Sequence, residues 1–324
     1  MSNLTYLEAS IIGLLQGVTE LFPVSSLGHS VLLPAIIGGQ WARDLDVSAK
    51  ESPYLAFIVG LHVATALALV IYFWREWIRI IGGFLTSIRD RRIVTADQRL
   101  AWLIILATIP VGVAGLLLEH AFRVLLGKPI PASLFLTANG VILFAGERLR
   151  RKASRSADEE VAAEVEAMAT AGRGRHATGH RALRQHETAL DLASDRRLAG
   201  VGYVQAVIIG SAQILALLAG ISRSGVTMVA GLFRGLSHED AARFAFLLAT
   251  PVILAAGALK IPDLTGSLGK DIHGQILLGS VLSGVGAYLS VRFLTRYFQT
   301  RTLTPFAIYC LLAGLFSFVY LTVR

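Results

Sequence analysis

Charge is scarce in this chain: Asp, Glu, Lys and Arg make up 16% of 324 residues, against 54% hydrophobic residues. With a mean hydropathy of +0.61, that balance excludes an ordinary soluble domain and points to a polytopic membrane protein. Cysteine is nearly absent. The lone Cys310 excludes an intrachain disulfide framework, and its place in the last apolar run suits packing. The N-terminus lacks a basic n-region, and Glu8 and Glu20 interrupt what would have to be a uniformly apolar h-region, so no cleaved signal peptide is expected. The formal net charge of +8 is no nucleic-acid signal, because the basic residues are distributed by loop, the pattern that orients membrane proteins. No nucleic-acid partner is expected.

What the chain does have is long apolar runs. Six approach or reach spanning length, at about 55–74, 100–118, 133–146, 241–259, 274–291 and 303–322. Two more, at 4–35 and 198–233, are broken near their middles by Gly, Pro and Ser. Broken backbone at membrane depth is tolerated where protein or a cavity satisfies it, so both read as re-entrant helical hairpins. Each precedes three spans.

The two broken stretches resemble each other at a constant offset of 197 residues: Ile11, Ile12, Gly13, Gln16, Ser25 and Gly28 recur as Ile208, Ile209, Gly210, Gln213, Ser222 and Gly225. Three spans per half would invert the second copy relative to the first. The expected fold is therefore an all-α polytopic membrane protein of two inverted-topology repeats, residues 1–146 and 198–324. Each repeat carries one re-entrant hairpin and three transmembrane helices. Residues 147–197, rich in Arg, Glu, Ala and Ser, read as a polar cytoplasmic linker, partly helical at most, and its His176, His180 and His186 match no closed zinc spacing.

Orientation follows from counting Lys and Arg. Loops at about 75–99, 147–197 and 292–301 hold 6, 11 and 3, whereas those at about 34–53, 119–131 and 260–273 hold 2 each. The first set is expected in the cytoplasm and both termini outside. Ser237 with Asp240 reads as a capping start for the fourth span, Pro110 and Pro251 as kinks, and Arg234 and Arg243 as boundary residues that snorkel.

Chemistry concentrates in the broken stretches. Residues 16–30 place Gln16, Glu20, Ser25, Ser26, His29 and Ser30 among leucines and isoleucines. An ionisable group at bilayer depth costs roughly 2.5–3.5 kcal/mol on insertion scales, so such groups usually carry function. The second stretch, Ala219 to Thr227, holds Arg223 with Ser222, Ser224 and Thr227. An arginine with neighbouring hydroxyls and Gly-flanked N–H groups suits phosphate oxygens. The first stretch adds a carboxylate that can bind metal or act as base, a histidine that can move a proton, and two candidate nucleophiles in Ser25 and Ser26. Plainer readings compete: His62 as a packed helix residue, Glu20 as an ion-pair partner of Arg223, and Ser25 or Ser26 as a helix cap.

The motif Gln-Gly-Val-Thr-Glu-Leu-Phe-Pro-Val-Ser-Ser-Leu-Gly-His at 16–29, with Gly-Ile-Ser-Arg-Ser-Gly-Val-Thr at 220–227, resembles the undecaprenyl-diphosphatase family linked to bacitracin resistance. Segments 246–251 and 305–309 resemble that family too, so the likeness covers the chain outside 147–197. It implies an integral enzyme of the bacterial plasma membrane that removes the terminal phosphate of the C55 isoprenoid diphosphate carrier, recycling it for cell-wall synthesis. It further implies help from a divalent cation, Mg2+ or Ca2+, and a site opening to the extracytoplasmic side. By that resemblance Glu20 is the essential glutamate and metal ligand, Ser26 the nucleophile, His29 the motif histidine and Arg223 the diphosphate-binding arginine. Gln16, Ser25, Ser222, Ser224 and Thr227 would then bind substrate. Gln16 stands where many members have a second glutamate, and Ala219 where a proline often precedes the glycine. The rival reading is an isoprenoid-lipid flippase or secondary transporter, which inverted repeats with broken helices also suit. Oligomeric state is left open.

Overall fold

The computed structural model describes residues 4–46, 53–168, 194–260 and 272–323. The linker histidines His176, His180 and His186 lie outside them. The described residues form helices and no strands. The first half contains α1 (Tyr6–Thr19), α2 (Ser26–Ile37), α3 (Gly39–Asp44), α4 (Pro53–Tyr72), α5 (Trp74–Asp90), α6 (Ala96–Leu126) and α7 (Pro129–Met168). The second half, after a short helical segment at 194–199, contains α8 (Tyr203–Ser211), a 3₁₀ stretch (Ala212–Leu217), α9 (Arg223–Phe233), α10 (His238–Leu259), α11 (His273–Thr300) and α12 (Thr304–Val323). Six helices are long and apolar enough to span a membrane, namely α4, α6, α7, α10, α11 and α12, so the chain is a multi-pass membrane protein. α1–α2 and α8–α9 are the short paired helices of the two broken stretches.

Local chemistry explains the element starts. Glu8 is no intruder in an apolar run: its Oε2 accepts from both Thr5 N–H and Thr5 Oγ1 at 2.8 Å while Thr5 Oγ1 accepts from Glu8 N–H. That capping box opens α1. Ser237 caps α10 by accepting from Asp240 N–H, as its spacing suggests.

The two halves pack reciprocally. α1 lies along α11 and α8 along α6; α4 meets α11 and α10 meets α6; α2 touches α12 and α9 touches α7. The repeated residues share environments as well. Ile12 and Ile209 are fully buried, Ile11 and Ile208 face outward, and Gln16 and Gln213 are buried. A Cβ on Gly13 would lie 2.6 Å from the Gly279 carbonyl oxygen in α11, and one on Gly210 would overlap the Ala107 carbonyl oxygen in α6. Both glycines are there because two helix backbones touch. We expect Gly210→Ala to force α8 off α6 and cost about 1–3 kcal/mol as overpacking, read as a lower melting temperature in detergent. An unchanged melting temperature would mean that this contact is not tight.

Three sequence readings need correction. The segment 75–99 contains a 17-residue helix, α5, whose Trp74, Ile78, Ile81, Leu85 and Ile88 form an exposed apolar stripe opposite buried Glu76, Ile80, Gly83 and Ser87. Spacings of four and three residues make that an amphipathic, interface-lying helix and not a loop. The helix of the third span runs on past 146: its apolar part is Pro129–Lys152, and α7 continues to Met168. The linker's ends are built into the bundle. Glu147, buried in α7, accepts from His238 Nε2 at 2.7 Å, and Asp195 pairs with Arg79 and, at 2.9 Å, with Arg243. Arg243 consequently does not snorkel: it is buried and also pairs with Glu76 at 3.2 Å.

Candidate active site

The two broken stretches meet tip to tip. Ser25, with a left-handed φ of 68°, caps α2 by accepting from Gly28 N–H at 3.2 Å, and accepts at the same distance from Gly220 N–H of the opposite stretch. Ser222 caps α9 in the equivalent way, accepting from Gly225 N–H at 3.2 Å. Gly220 has φ 117°, and a Cβ on Gly28 would lie 2.9 Å from Gly220 Cα, so the crossing needs glycine on both sides. Asn139 of α7, fully buried, staples the pair: its Nδ2 donates to Pro23 C=O and its Oδ1 accepts from Ser222 N–H, each at 3.0 Å. Ser222 and Ser224 donate to the Phe22 carbonyl at 3.4 and 3.3 Å. The N-termini of α2 and α9 thereby converge, an arrangement that favours negative charge.

Glu20, the C-cap of α1, is the hub. One carboxylate oxygen accepts from Ser26 Oγ and, at 3.0 Å, from Gln16 Nε2, and lies 3.3 Å from His62 Nε2. The other accepts from the Arg223 guanidinium. Glu20 and Ser26 are buried, while the Arg223 and His62 side chains keep 18% and 25% of their surface, so the cluster is reached past those two groups. His62 Nδ1 donates to the Ile58 carbonyl at 2.8 Å, which fixes the ring with Nε2 toward the Glu20 carboxylate.

The predicted residues therefore divide. Gln16, Glu20, Ser26 and Arg223 form one connected cluster. Ser25, Ser222 and Ser224 hold the crossing loops. The Thr227 hydroxyl is turned to the Arg223 carbonyl of its own helix at 2.7 Å. His29 stands apart: its Nδ1 donates to Ser25 C=O at 2.7 Å, and its Nε2 accepts from Tyr309 O–H at 2.8 Å. Both nitrogens are committed away from the Ser26 hydroxyl. Sequence reasoning passed over His62 as a packed residue and missed Asn139. The signal for each was a strongly polar side chain inside an apolar span.

A divalent cation can be tested against the donors present. Gln16 Oε1 is buried without a hydrogen-bond partner, beside the Glu20 carboxylate, and hard oxygen donors of this kind suit Mg2+ or Ca2+. Among the described residues no group of three or more His, Cys, Asp and Glu is placed to hold an ion. Gln16 and Glu20 do not close a coordination shell by themselves, so a cation bound here would take most of its ligands from substrate oxygens and water.

The family model described as bacitracin resistance protein BacA matches residues 9–316 of this chain. A Mycolicibacterium paratuberculosis protein named undecaprenyl-diphosphatase is 62% identical over 323 residues, covering 100% of this chain and 99% of that protein. A Mycobacterium avium protein of the same name is 61% identical with the same coverage. A Frankia alni protein named undecaprenyl-diphosphatase 2 is 58% identical over 333 residues, 97% of each.

Proposed function

The chain belongs to the bacitracin resistance protein BacA family, and from that premise we infer that it is an undecaprenyl-diphosphatase. It hydrolyses undecaprenyl diphosphate to undecaprenyl phosphate and orthophosphate in the membrane. The observation that carries the chemistry is the Ser26 hydroxyl donating to a carboxylate whose other oxygen holds Arg223. Nucleophile, base and phosphate-binding cation thus touch through one residue. A lipid carrier needs no such triad, so the hydrolase is favoured over a flippase.

On this reading the diphosphate draws Arg223 away from Glu20, and the guanidinium spreads over the phosphate oxygens where charge builds in the transition state. Ser26 Oγ attacks the terminal phosphorus, its proton passes to Glu20, and the bond from that phosphorus to the bridging oxygen breaks, releasing undecaprenyl phosphate. Glu20 hands that proton to the departing undecaprenyl phosphate and is a base again; water then attacks the phosphoserine, its proton passes by way of Glu20 to the Ser26 Oγ that leaves, and orthophosphate is released. His62 faces Glu20 and tunes the same carboxylate. His29 acts by position, fixing the Ser25 carbonyl at the head of α2. Gln16 Oε1 and Glu20 would hold a divalent cation, which supplies charge neutralisation at the substrate oxygens.

The reciprocal packing and the shared residue environments support two inverted repeats. The arginine-rich end, with α5, is placed on the cytoplasmic side of the bacterial plasma membrane, and the site opens to the extracytoplasmic side, with the isoprenoid chain in lipid. The test is orthophosphate release from a C55 isoprenyl diphosphate by purified protein. Metal-dependent release is expected, with EDTA lowering the rate by at least ~10-fold and Mg2+ or Ca2+ restoring it. A well-folded protein that released no orthophosphate under any metal would overturn the assignment, and release indifferent to EDTA would remove the cation.

A further inference from the structure

The last turns of α11 carry basic side chains that the catalytic cluster does not use. Arg292, Arg296 and Arg301 line a cleft of about 480 Å³ together with Leu289, Phe293 and Tyr297. Arg292 and Arg296 are four residues apart and share a helix face, and Arg301 follows the helix end. All three are exposed, and no carboxylate lines the cleft. The contrast with the rest of this end of the bundle is informative. There Arg79, Arg151 and Arg197 each lie against a carboxylate, those of Asp195, Glu147 and Asp240. Among the described residues the three cleft arginines have no such partner, and unlike Arg75 and Arg234, which also lack one, they converge on one cleft that suits a single anionic ligand.

The wall of the cleft says what that is. Leu289 and Phe293, more than half exposed, continue from the charged rim up a membrane-spanning helix. Tyr297 is tilted against Phe293 at 5.5 Å, and Phe293 stacks on Phe22 of the catalytic loop at 5.9 Å. A ligand that suits this surface carries a phosphate headgroup tethered to a hydrocarbon chain lying in the bilayer. Basic clefts at the membrane boundary bind such headgroups, and aromatic rings there sit at headgroup level. We propose that this cleft is a binding site for an anionic phospholipid, with the phosphate between Arg292, Arg296 and Arg301 and an acyl chain along Leu289 and Phe293. The inference stands on the charge and shape of α11 and does not depend on the hydrolase reading.

The experiment uses the full chain, delipidated in neutral detergent and titrated with phosphatidylglycerol, phosphatidylcholine, undecaprenyl phosphate or inorganic phosphate, with melting temperature as readout. Phosphatidylglycerol is expected to raise it saturably, and phosphatidylcholine and inorganic phosphate are not. The double variant Arg292→Gln/Arg296→Gln should bind phosphatidylglycerol roughly 10- to 30-fold more weakly while keeping the wild-type melting temperature in the absence of phospholipid, which shows that it is folded. A control that removes the same charge elsewhere, Arg75→Gln/Arg92→Gln, should keep wild-type affinity. An equal loss in the control, an equal shift from phosphatidylcholine, or saturation by inorganic phosphate alone would overturn the site. A tighter, Arg292-dependent response to undecaprenyl phosphate would reassign the cleft to product.

Discussion

Ser26→Ala is expected to lower orthophosphate release by roughly 10³-fold or more, the scale at which removing a nucleophile acts when a group works as part of a unit. The physical reason is specific to this serine. Its hydroxyl donates to the one carboxylate in the cluster, whereas the neighbouring Ser25 hydroxyl is occupied as acceptor from Gly28 and Gly220 N–H groups. Ser25→Ala should therefore behave differently. It removes a helix cap and a stitch between the two stretches, so it costs about 1–2 kcal/mol of stability and reduces turnover through geometry. The measurement is single-turnover release with acid-trapped phosphoprotein: label on wild type and Ser25→Ala, none on Ser26→Ala. Full turnover by Ser26→Ala would dismiss the covalent route in favour of direct attack by water.

Glu20→Gln is expected to have an effect of similar size on turnover and the opposite effect on binding. Loss of a positioned base costs typically 10²–10⁴-fold, and the amide keeps the shape of the side chain. In the resting protein, however, Glu20 is also the partner that Arg223 must leave when a diphosphate arrives. Removing its charge frees the guanidinium. In EDTA, where no cation contributes, a non-hydrolysable isoprenyl bisphosphonate should bind the variant at least as tightly as wild type while release is lost. Leaving Arg223 without its carboxylate also lowers stability, and the melting temperature in detergent reports this separately. If binding and turnover fell together with the melting temperature, Glu20 would be a structural ion-pair partner and the base would lie elsewhere.

Both predictions rest on distinctions that the motif leaves open. Residues 16–29 contain two adjacent serines, a glutamate and a histidine, and nothing in their order says which serine meets the acid. The turn geometry does: a left-handed φ at Ser25 sends its hydroxyl to backbone N–H groups and leaves Ser26, the first residue of α2, to face Glu20. The same holds for the proton acceptor. His29 looked as suitable as Glu20 until Tyr309, 280 residues away, took its second nitrogen. His62 had a packed reading as its plainest account, yet α4 brings its ring to Glu20 from outside the motif.

By itself the sequence determined the class of molecule and the six spans, and it singled out the internal repeat and the polar residues of the broken stretches. Those signals are local: hydropathy over some twenty residues sets whether a helix can cross a bilayer, and a polar group at bilayer depth advertises itself by its cost. Tertiary structure alone decided which of these residues touch. Arg223 reaches Glu20 across 203 residues and Asn139 reaches Ser222 across 83, and such pairings follow from which helix packs opposite which. It also decided that Trp74–Asp90 folds as an amphipathic helix and that Arg243 is buried, because an arginine leaves the boundary once Glu76 and Asp195 are folded against it.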